Sequence, residues 1–228
     1  MIQIKNLKKN LTGGGHQIDI LNGINLEILK NQFLAITGPS GSGKTTLLSL
    51  IAGLDFPTSG SIIIDGKDIT KLDEDELAHL RNTRFGFVFQ NFHLIPTLTA
   101  YENVQIMTEL NNSNHNKDLT NKILAQVGLK NRLNHYPSQL SGGEQQRLSI
   151  ARAFVNEPDI ILADEPTGNL DSKNTEKIME LICQLHKSKK AIVIMVTHEP
   201  KVAKLSERII LLNDGQIIKD SIPTKLMP

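Results

Sequence analysis

Apolar positions along this chain fall into two patterns. Short runs rich in Ile, Val, Phe and Leu predict strands at residues 2–7, 18–28, 33–37, 61–64, 85–89, 159–163, 191–196 and 208–212. The runs Ile160-Ile161-Leu162-Ala163 and Ala191-Ile192-Val193-Ile194-Met195-Val196 are apolar at every position. That suits strands covered on both faces of a parallel sheet. The first strands follow one another through turn residues, with no helix between them. They predict an antiparallel β region beside the parallel core. Gly13-Gly14-Gly15, with no Lys and no helical pattern after it, reads as a turn.

Between Asn91 and Phe154 the strand pattern gives way to helical periodicity. Asp73-Glu74-Asp75-Glu76 opens one helix with capping-box chemistry. Thr99 is placed to cap a second helix running to about Leu110, and residues 118–127 read as a third, stopped by Gly128. The polar stretch Asn111-Asn112-Ser113-Asn114-His115-Asn116 predicts an exposed loop. The pattern describes one α/β domain over residues 1–228. Residues 1–90 and 155–228 form its core and antiparallel β subdomain, and residues 91–154 form a helical insertion. No internal repeat and no separating linker is visible.

Composition narrows the function. Of 228 residues, 39% are hydrophobic and 21% charged, which excludes a disordered or collagenous chain. Lys+Arg 25 against Asp+Glu 24 leaves +1, so there is no field for general capture of nucleic acid or anionic lipid. The single Cys183 cannot form an internal disulfide and, within a helical pattern, reads as buried packing. Met1-Ile2-Gln3-Ile4-Lys5 lacks the apolar stretch of a signal peptide. The apolar runs fall short of the ~20 residues of a spanning helix. The expectation is a soluble, cytoplasmic chain that meets a membrane only through a partner.

Gly38-Pro39-Ser40-Gly41-Ser42-Gly43-Lys44-Thr45 fits G-x-x-x-x-G-K-[ST] between a predicted strand and a helical pattern beginning at Thr46. The glycines let backbone N–H groups turn around phosphates, and the helix N-terminus adds partial positive charge. Lys44 supplies a point charge to the β/γ oxygens, and the Thr45 hydroxyl is a ligand for Mg²⁺. Asp164 and Glu165 end a predicted core strand, where open α/β sheets bind ligands. Asp164 suits Mg²⁺ and Glu165 suits a base for attacking water. A guanine-reading N-K-x-D is absent. The nearest match, Asn116-Lys117-Asp118-Leu119, has the wrong spacing.

Leu140-Ser141-Gly142-Gly143-Glu144-Gln145-Gln146-Arg147 resembles the signature of ATP-binding cassette (ABC) proteins. It lies in the expected order among Gln90 (Q-loop), Asn169-Leu170-Asp171 (D-loop) and His198 (switch histidine). The resemblance spans essentially the whole chain. It implies a P-loop NTPase (RecA-like) core with an antiparallel β subdomain and a helical insertion, the ABC nucleotide-binding domain. It further implies ATP hydrolysis, with ATP and Mg²⁺ bound. Glu165, His198 and Gln90 would be catalytic, and Thr45, Gln90 and Asp164 would hold the metal. Gly38 to Thr46 would bind ATP. Ser141, Gly142, Gly143 and Glu144 would face the γ-phosphate held by a second copy, with Asp171 in the D-loop. An ATP-bound homodimer follows.

Gly86-Phe87-Val88-Phe89-Gln90 and Asp164-Glu165-Pro166-Thr167-Gly168-Asn169-Leu170-Asp171 resemble the LolD, MacB and FtsE branch, and Leu7-Lys8-Lys9, Leu94-Ile95-Pro96-Thr97-Leu98, Gly143-Glu144-Gln145-Gln146-Arg147 and Ala151-Arg152-Ala153-Phe154 resemble YbbA-type subunits most. Such subunits sit on the inner face of the cytoplasmic membrane through a separate permease of MacB/YbbP-like type. They power export, lipid or lipoprotein extraction, or mechanotransmission. The apolar residues Phe92, Leu94, Ile95, Pro96 and Leu98 in one short irregular stretch either pack inward or meet a partner, and the resemblance implies that segment 90–102 is the permease-docking surface. The resemblance departs at Leu11, which stands where ABC proteins usually carry an adenine-stacking aromatic. Two other readings share motifs with this one. An FtsE-like cell-division scaffold could share them all. A soluble ABC ATPase of DNA repair would need long coiled coils, and no sustained heptads occur here.

Overall fold

The computed structural model describes residues 1–13, 16–110 and 117–222. In chain order the strands and helices are β1 (Ile2–Gly13), β2 (His16–Ile28), β3 (Phe33–Thr37), α1 (Lys44–Ile51), β4 (Ser59–Ile64), β5 (Lys67–Asp68), α2 (Glu74–Arg84), β6 (Phe85–Phe89), α3 (Ala100–Leu110), α4 (Lys117–Gln126), α5 (Gly142–Phe154), β7 (Ile160–Asp164), α6 (Ser172–Lys189), β8 (Ile192–Val196), α7 (Pro200–Ala203), β9 (Arg208–Asn213) and β10 (Gln216–Ser221). The chain divides into two compact units, residues 1–81 with 192–228, and residues 82–191.

The first unit carries the antiparallel region that the closely spaced early strands predict. β1 pairs with β2 on one side and β4 on the other, and β4 continues to the short β5. Alternate side chains close a core: Ile2 and Ile4 of β1, Leu26 and Ile28 of β2, and Ile62 and Ile64 of β4 are all buried. Period-two alternation makes this possible, since one face of each strand packs while the other meets solvent. Irregular register between Ile4 and Leu7 puts Leu7 back on the buried face, with Asn6 at φ 45° in the bend.

Beside it, β3 lies parallel to both β8 and β9, and β10 returns antiparallel to β9. Phe33 to Ile36 and Ile192 to Val196 are buried without alternation, as their unbroken apolar runs require. Leu47, Leu48, Leu50 and Ile51 give α1 its buried face.

The second unit holds the parallel pair β6–β7 together with α3, α4, α5 and α6. α2 lies mostly in the first unit and begins on the cap foreseen at Asp73, whose side chain accepts from the Glu76 N–H at 2.8 Å while Glu76 accepts from the Asp73 N–H at 3.2 Å. Thr99 and Glu102 make the same reciprocal cap for α3. α4 ends before Gly128, at φ 73°. The loop expected at 111–116, and Gly14 and Gly15 of the expected turn, lie outside the described residues. Cys183 on α6 is half-buried rather than core, because α6 turns Ile178, Met179, Ile182 and Leu185 inward and leaves position 183 at the border of that stripe.

Candidate functional site

In the first unit the phosphate loop leaves the C-terminal end of β3 and runs into α1. The loop permits only glycine at its first position. A Cβ on Gly38 would lie 2.0 Å from the Leu212 carbonyl oxygen. Gly43, at φ 97°, turns the chain into α1. Lys44 is buried, and its ammonium donates to the Gly38 carbonyl at 3.0 Å and the Pro39 carbonyl at 2.7 Å. Its charge is therefore held inside the curve of the loop. Ser42 is 2% exposed and its Oγ is buried with no hydrogen-bond partner among the described residues. An orphaned hydroxyl of this kind costs roughly 1–3 kcal/mol unless something else satisfies it. The first amides of α1, from Lys44, Thr45 and Thr46, face out of the helix start, where intrahelical acceptors do not exist. Pro39, Ser40, Gly41 and Thr45 are on the exposed rim.

His198 belongs to the same edge of this unit. Ile36 pairs with Val196, and the Thr197 N–H donates to the Ile36 carbonyl at 3.2 Å. The loop and the histidine therefore leave neighbouring parallel strands at the same end, the end where open α/β sheets bind ligands. His198 is exposed, while Thr197 beside it is 2% exposed.

The second unit repeats this logic. Phe89 pairs with Asp164, so Gln90 and Glu165 are each the first residue past a paired strand end. Glu165 adopts φ 46°. A left-handed backbone at a non-glycine residue costs of order 1–3 kcal/mol and persists only where its surroundings enforce it. Gly168 lies between the two side chains. A Cβ there would be 2.8 Å from Gln90 Nε2 and 3.3 Å from Glu165 Oε2. Asn169 closes the cluster: its amide donates to the Gln90 carbonyl and to Asn91 Oδ1, both at 3.1 Å, and accepts from Gln90 Nε2 at 3.3 Å.

The signature segment opens α5. Ser141 caps it reciprocally with Glu144. Glu144 also accepts from Arg132 Nε at 2.9 Å. The Ser141 N–H first, and then the Arg132 guanidinium, hold the Glu144 carboxyl down to about 2. Asp171 caps α6, accepting from the Asn174 N–H at 2.9 Å and from its side-chain amide at 2.7 Å. Those bonds hold the Asp171 carboxyl below its usual range. The two helix starts adjoin: a Cβ on Gly143 would lie 3.0 Å from Asn174 Oδ1. Ser141 and Gly142 are exposed and Gly143 is buried.

Each unit thus gathers its own share of the residues singled out from the sequence. The first unites Gly38 to Thr46 with His198. The second unites Gln90, Asp164 and Glu165, and sets Ser141 to Glu144 beside Asp171. Leu11 in β1 is 53% exposed and faces its cross-strand partner Ile18, which is 57% exposed. Sequence reading missed the groups that hold the loops. Arg152 of α5 donates to the carbonyls of Phe92 and His93, which sit at φ 58° and 49°. Asn103 donates to the Ile95, Leu98 and Thr99 carbonyls. These ties leave Ile95 and Pro96 exposed while Phe92, Leu94 and Leu98 are half-buried.

The sequence profile of the ABC transporter family matches residues 21–168. The chain belongs to the ABC transporter family. Among its relatives is YvrO of Bacillus subtilis, an ABC transporter ATP-binding protein, 46% identical over 222 residues, covering 96% of each chain. Another is the macrolide export ATP-binding/permease protein MacB of Vibrio parahaemolyticus, 43% identical over 229 residues. That match covers 100% of this chain but 35% of MacB, so the chain spans about a third of that relative's length. Among solved structures, the dimeric post-hydrolysis state of the ATP-binding cassette MJ0796 bound to ADP and Pi has a TM-score of 0.90 and 42% identity. It covers 99% of this chain and 100% of that one. This ABC chain is therefore an ATP-binding ATPase cassette with the P-loop α/β fold and antiparallel β region that its motifs imply. Among its described residues no helix is long and apolar enough to cross a membrane.

Proposed function

We propose that this cassette is the ATP-hydrolysing subunit of a transporter or mechanotransmitter, a YbbA-type partner of a separate MacB/YbbP-like permease. It would sit peripherally on the inner face of the cytoplasmic membrane through that permease. Its domain organisation would be a core of residues 1–90 and 155–228 with residues 91–154 as the helical subdomain. The carrying observation is the cradle at the start of α1, with Lys44 drawn inward on two loop carbonyls and Ser42 Oγ left without a partner among the described residues. Inward-facing donors at a helix N-terminus suit the β- and γ-phosphates of ATP.

Thr45, Gln90 and Asp164 offer hydroxyl, amide and carboxylate oxygens, the hard donors that Mg²⁺ prefers. Among the described residues no group of three or more His, Cys, Asp or Glu could hold a metal by itself. Bound there, Mg²⁺ would neutralise charge building on the β- and γ-phosphates. The residues then divide the work. Lys44 balances phosphate charge, and Gln90 and His198 orient the attacking water. Glu165 takes its proton as the oxygen closes on phosphorus.

Each chain carries one phosphate loop and one signature. We assign the signature a trans role: Ser141 and the α5 N-terminus of one copy meet the γ-phosphate held by the other, so that ATP drives homodimer formation. The exposed Ile95 and Pro96 suit a docking surface for the permease within segment 90–102. Replacing Glu165 by Gln tests the assignment. Hydrolysis should slow by ~10²–10⁴, roughly 3–5 kcal/mol. ATP should still bind and should drive the variant into a dimer by light scattering. Unchanged turnover with a monomeric mass in ATP would contradict both roles.

A further inference from the structure

Gln146 is fully buried on α5, yet it is polar. Its Nε2 donates to the Pro166 carbonyl at 2.6 Å, twenty residues along the chain. Its Oε1 is buried with no hydrogen-bond partner among the described residues. A side chain that satisfies one buried group and orphans another adds little to the stability of the fold. Its worth must lie in what the bond holds in place.

The bond holds the peptide directly after Glu165. Glu165 has a left-handed backbone at φ 46°, and Pro166 fixes the next φ through its ring. Pro166 is buried, so the anchor is rigid on both sides. With the Pro166 carbonyl tied to α5, the Glu165 carboxylate is directed toward Gly168 and Gln90, as the approach at Gly168 records. We infer that Gln146 is a positioning residue for hydrolysis, tying the segment that carries the general base to the signature helix. The inference rests on the reading of Glu165 as that base. It adds that α5 is the fixed point from which the base is aimed.

The test uses the full chain and three variants: Gln146→Met, Glu165→Gln and the two combined. Met keeps length and volume but cannot donate. It also removes the orphaned oxygen, so thermal stability should stay within a few degrees of wild type. We expect kcat to fall about tenfold with KM for ATP unchanged within about twofold. In the Glu165→Gln background the same change should cost almost nothing more, because the group being aimed is gone. Wild-type kcat in folded Gln146→Met, with Glu165→Gln inactive, overturns the inference and leaves the base assignment standing. Wild-type hydrolysis by Glu165→Gln overturns the base assignment itself. A full further loss in the double variant shows that Gln146 acts elsewhere and also overturns the inference. If Gln146→Met does not fold, Gln146→Glu serves in its place. It donates to Pro166 only when protonated, so its kcat should fall below wild type as pH rises. A profile matching wild type at every pH overturns the inference.

Discussion

Replacing Gly168 by Ala should slow hydrolysis without weakening the fold. The added methyl would stand 2.8 Å from Gln90 Nε2 and 3.3 Å from Glu165 Oε2. Gln90 must then retreat by about 0.6 Å to reach ordinary contact, while Glu165 need give only about 0.1 Å. Gly168 is exposed and does not share the positive φ of Gly38 or Gly43, so alanine is compatible with its backbone. Alanine also restricts the unfolded chain, which favours the folded state by about 0.4–1 kcal/mol where the native backbone suits it. Against this stands the partial loss of the Gln90 Nε2 bond to Asn169, already long at 3.3 Å. Net stability should therefore change by less than about 1 kcal/mol. Misplacing a reacting group by 1 Å costs on the order of 10²-fold in rate, so a displacement near half that size should cost about tenfold. Steady-state ATPase assays beside urea unfolding separate the two effects. Wild-type kcat in Gly168→Ala would refute the convergence of Gln90 and Glu165 on the reaction. A stability loss above about 2 kcal/mol would refute the argument that only a flexible side-chain end must move.

Two other changes follow from the same geometry. Lys44→Ala removes the charge held on the Gly38 and Pro39 carbonyls and should weaken ATP binding about 100-fold or more in calorimetry with Mg²⁺, since contacts to charged groups are each worth ~1.5–3 kcal/mol; wild-type affinity in a folded variant contradicts the phosphate assignment. Glu144 has its folded-state pKa depressed from 4.5 to about 2, so its contribution is fully present above about 4.5 and is lost as pH falls through about 2. Glu144→Gln keeps the reciprocal cap but not the charge beside Arg132. It should cost about 0.5–1 kcal/mol at pH 7 and clearly less at about pH 2, measured by denaturant unfolding at both.

Much of the fold is legible in the sequence because its decisive segments are locally one-sided. The unbroken apolar runs of β3 and β8 admit little but a covered strand, and the caps at Asp73 and Thr99 announce helix starts without tertiary help. β10 escapes because Lys219 and Asp220 interrupt Gln216-Ile217-Ile218, so no apolar face emerges from the pattern. β1 runs on through Asn10 and Thr12 on pairing with β2 rather than on its own hydrophobicity. Site residues that sit together in a motif, such as Lys44 with Thr45 or Asp164 with Glu165, are readable as such. The groups that aim them are not. Gln146 meets Pro166 and Arg152 meets His93 through folding across 20 and 59 residues, and no local pattern encodes those encounters.

The trans arrangement of two copies is the centre of the functional account, and mixing two inactive variants tests it most directly. Lys44→Ala disables the phosphate loop, and Ser141→Arg disables the signature. Each variant alone should be nearly inactive. A mixed dimer would carry one site with both defects and one site with neither, so the mixture should recover part of the wild-type ATPase rate. No recovery from mixed dimers whose formation has been demonstrated by mass would contradict two independently competent trans sites.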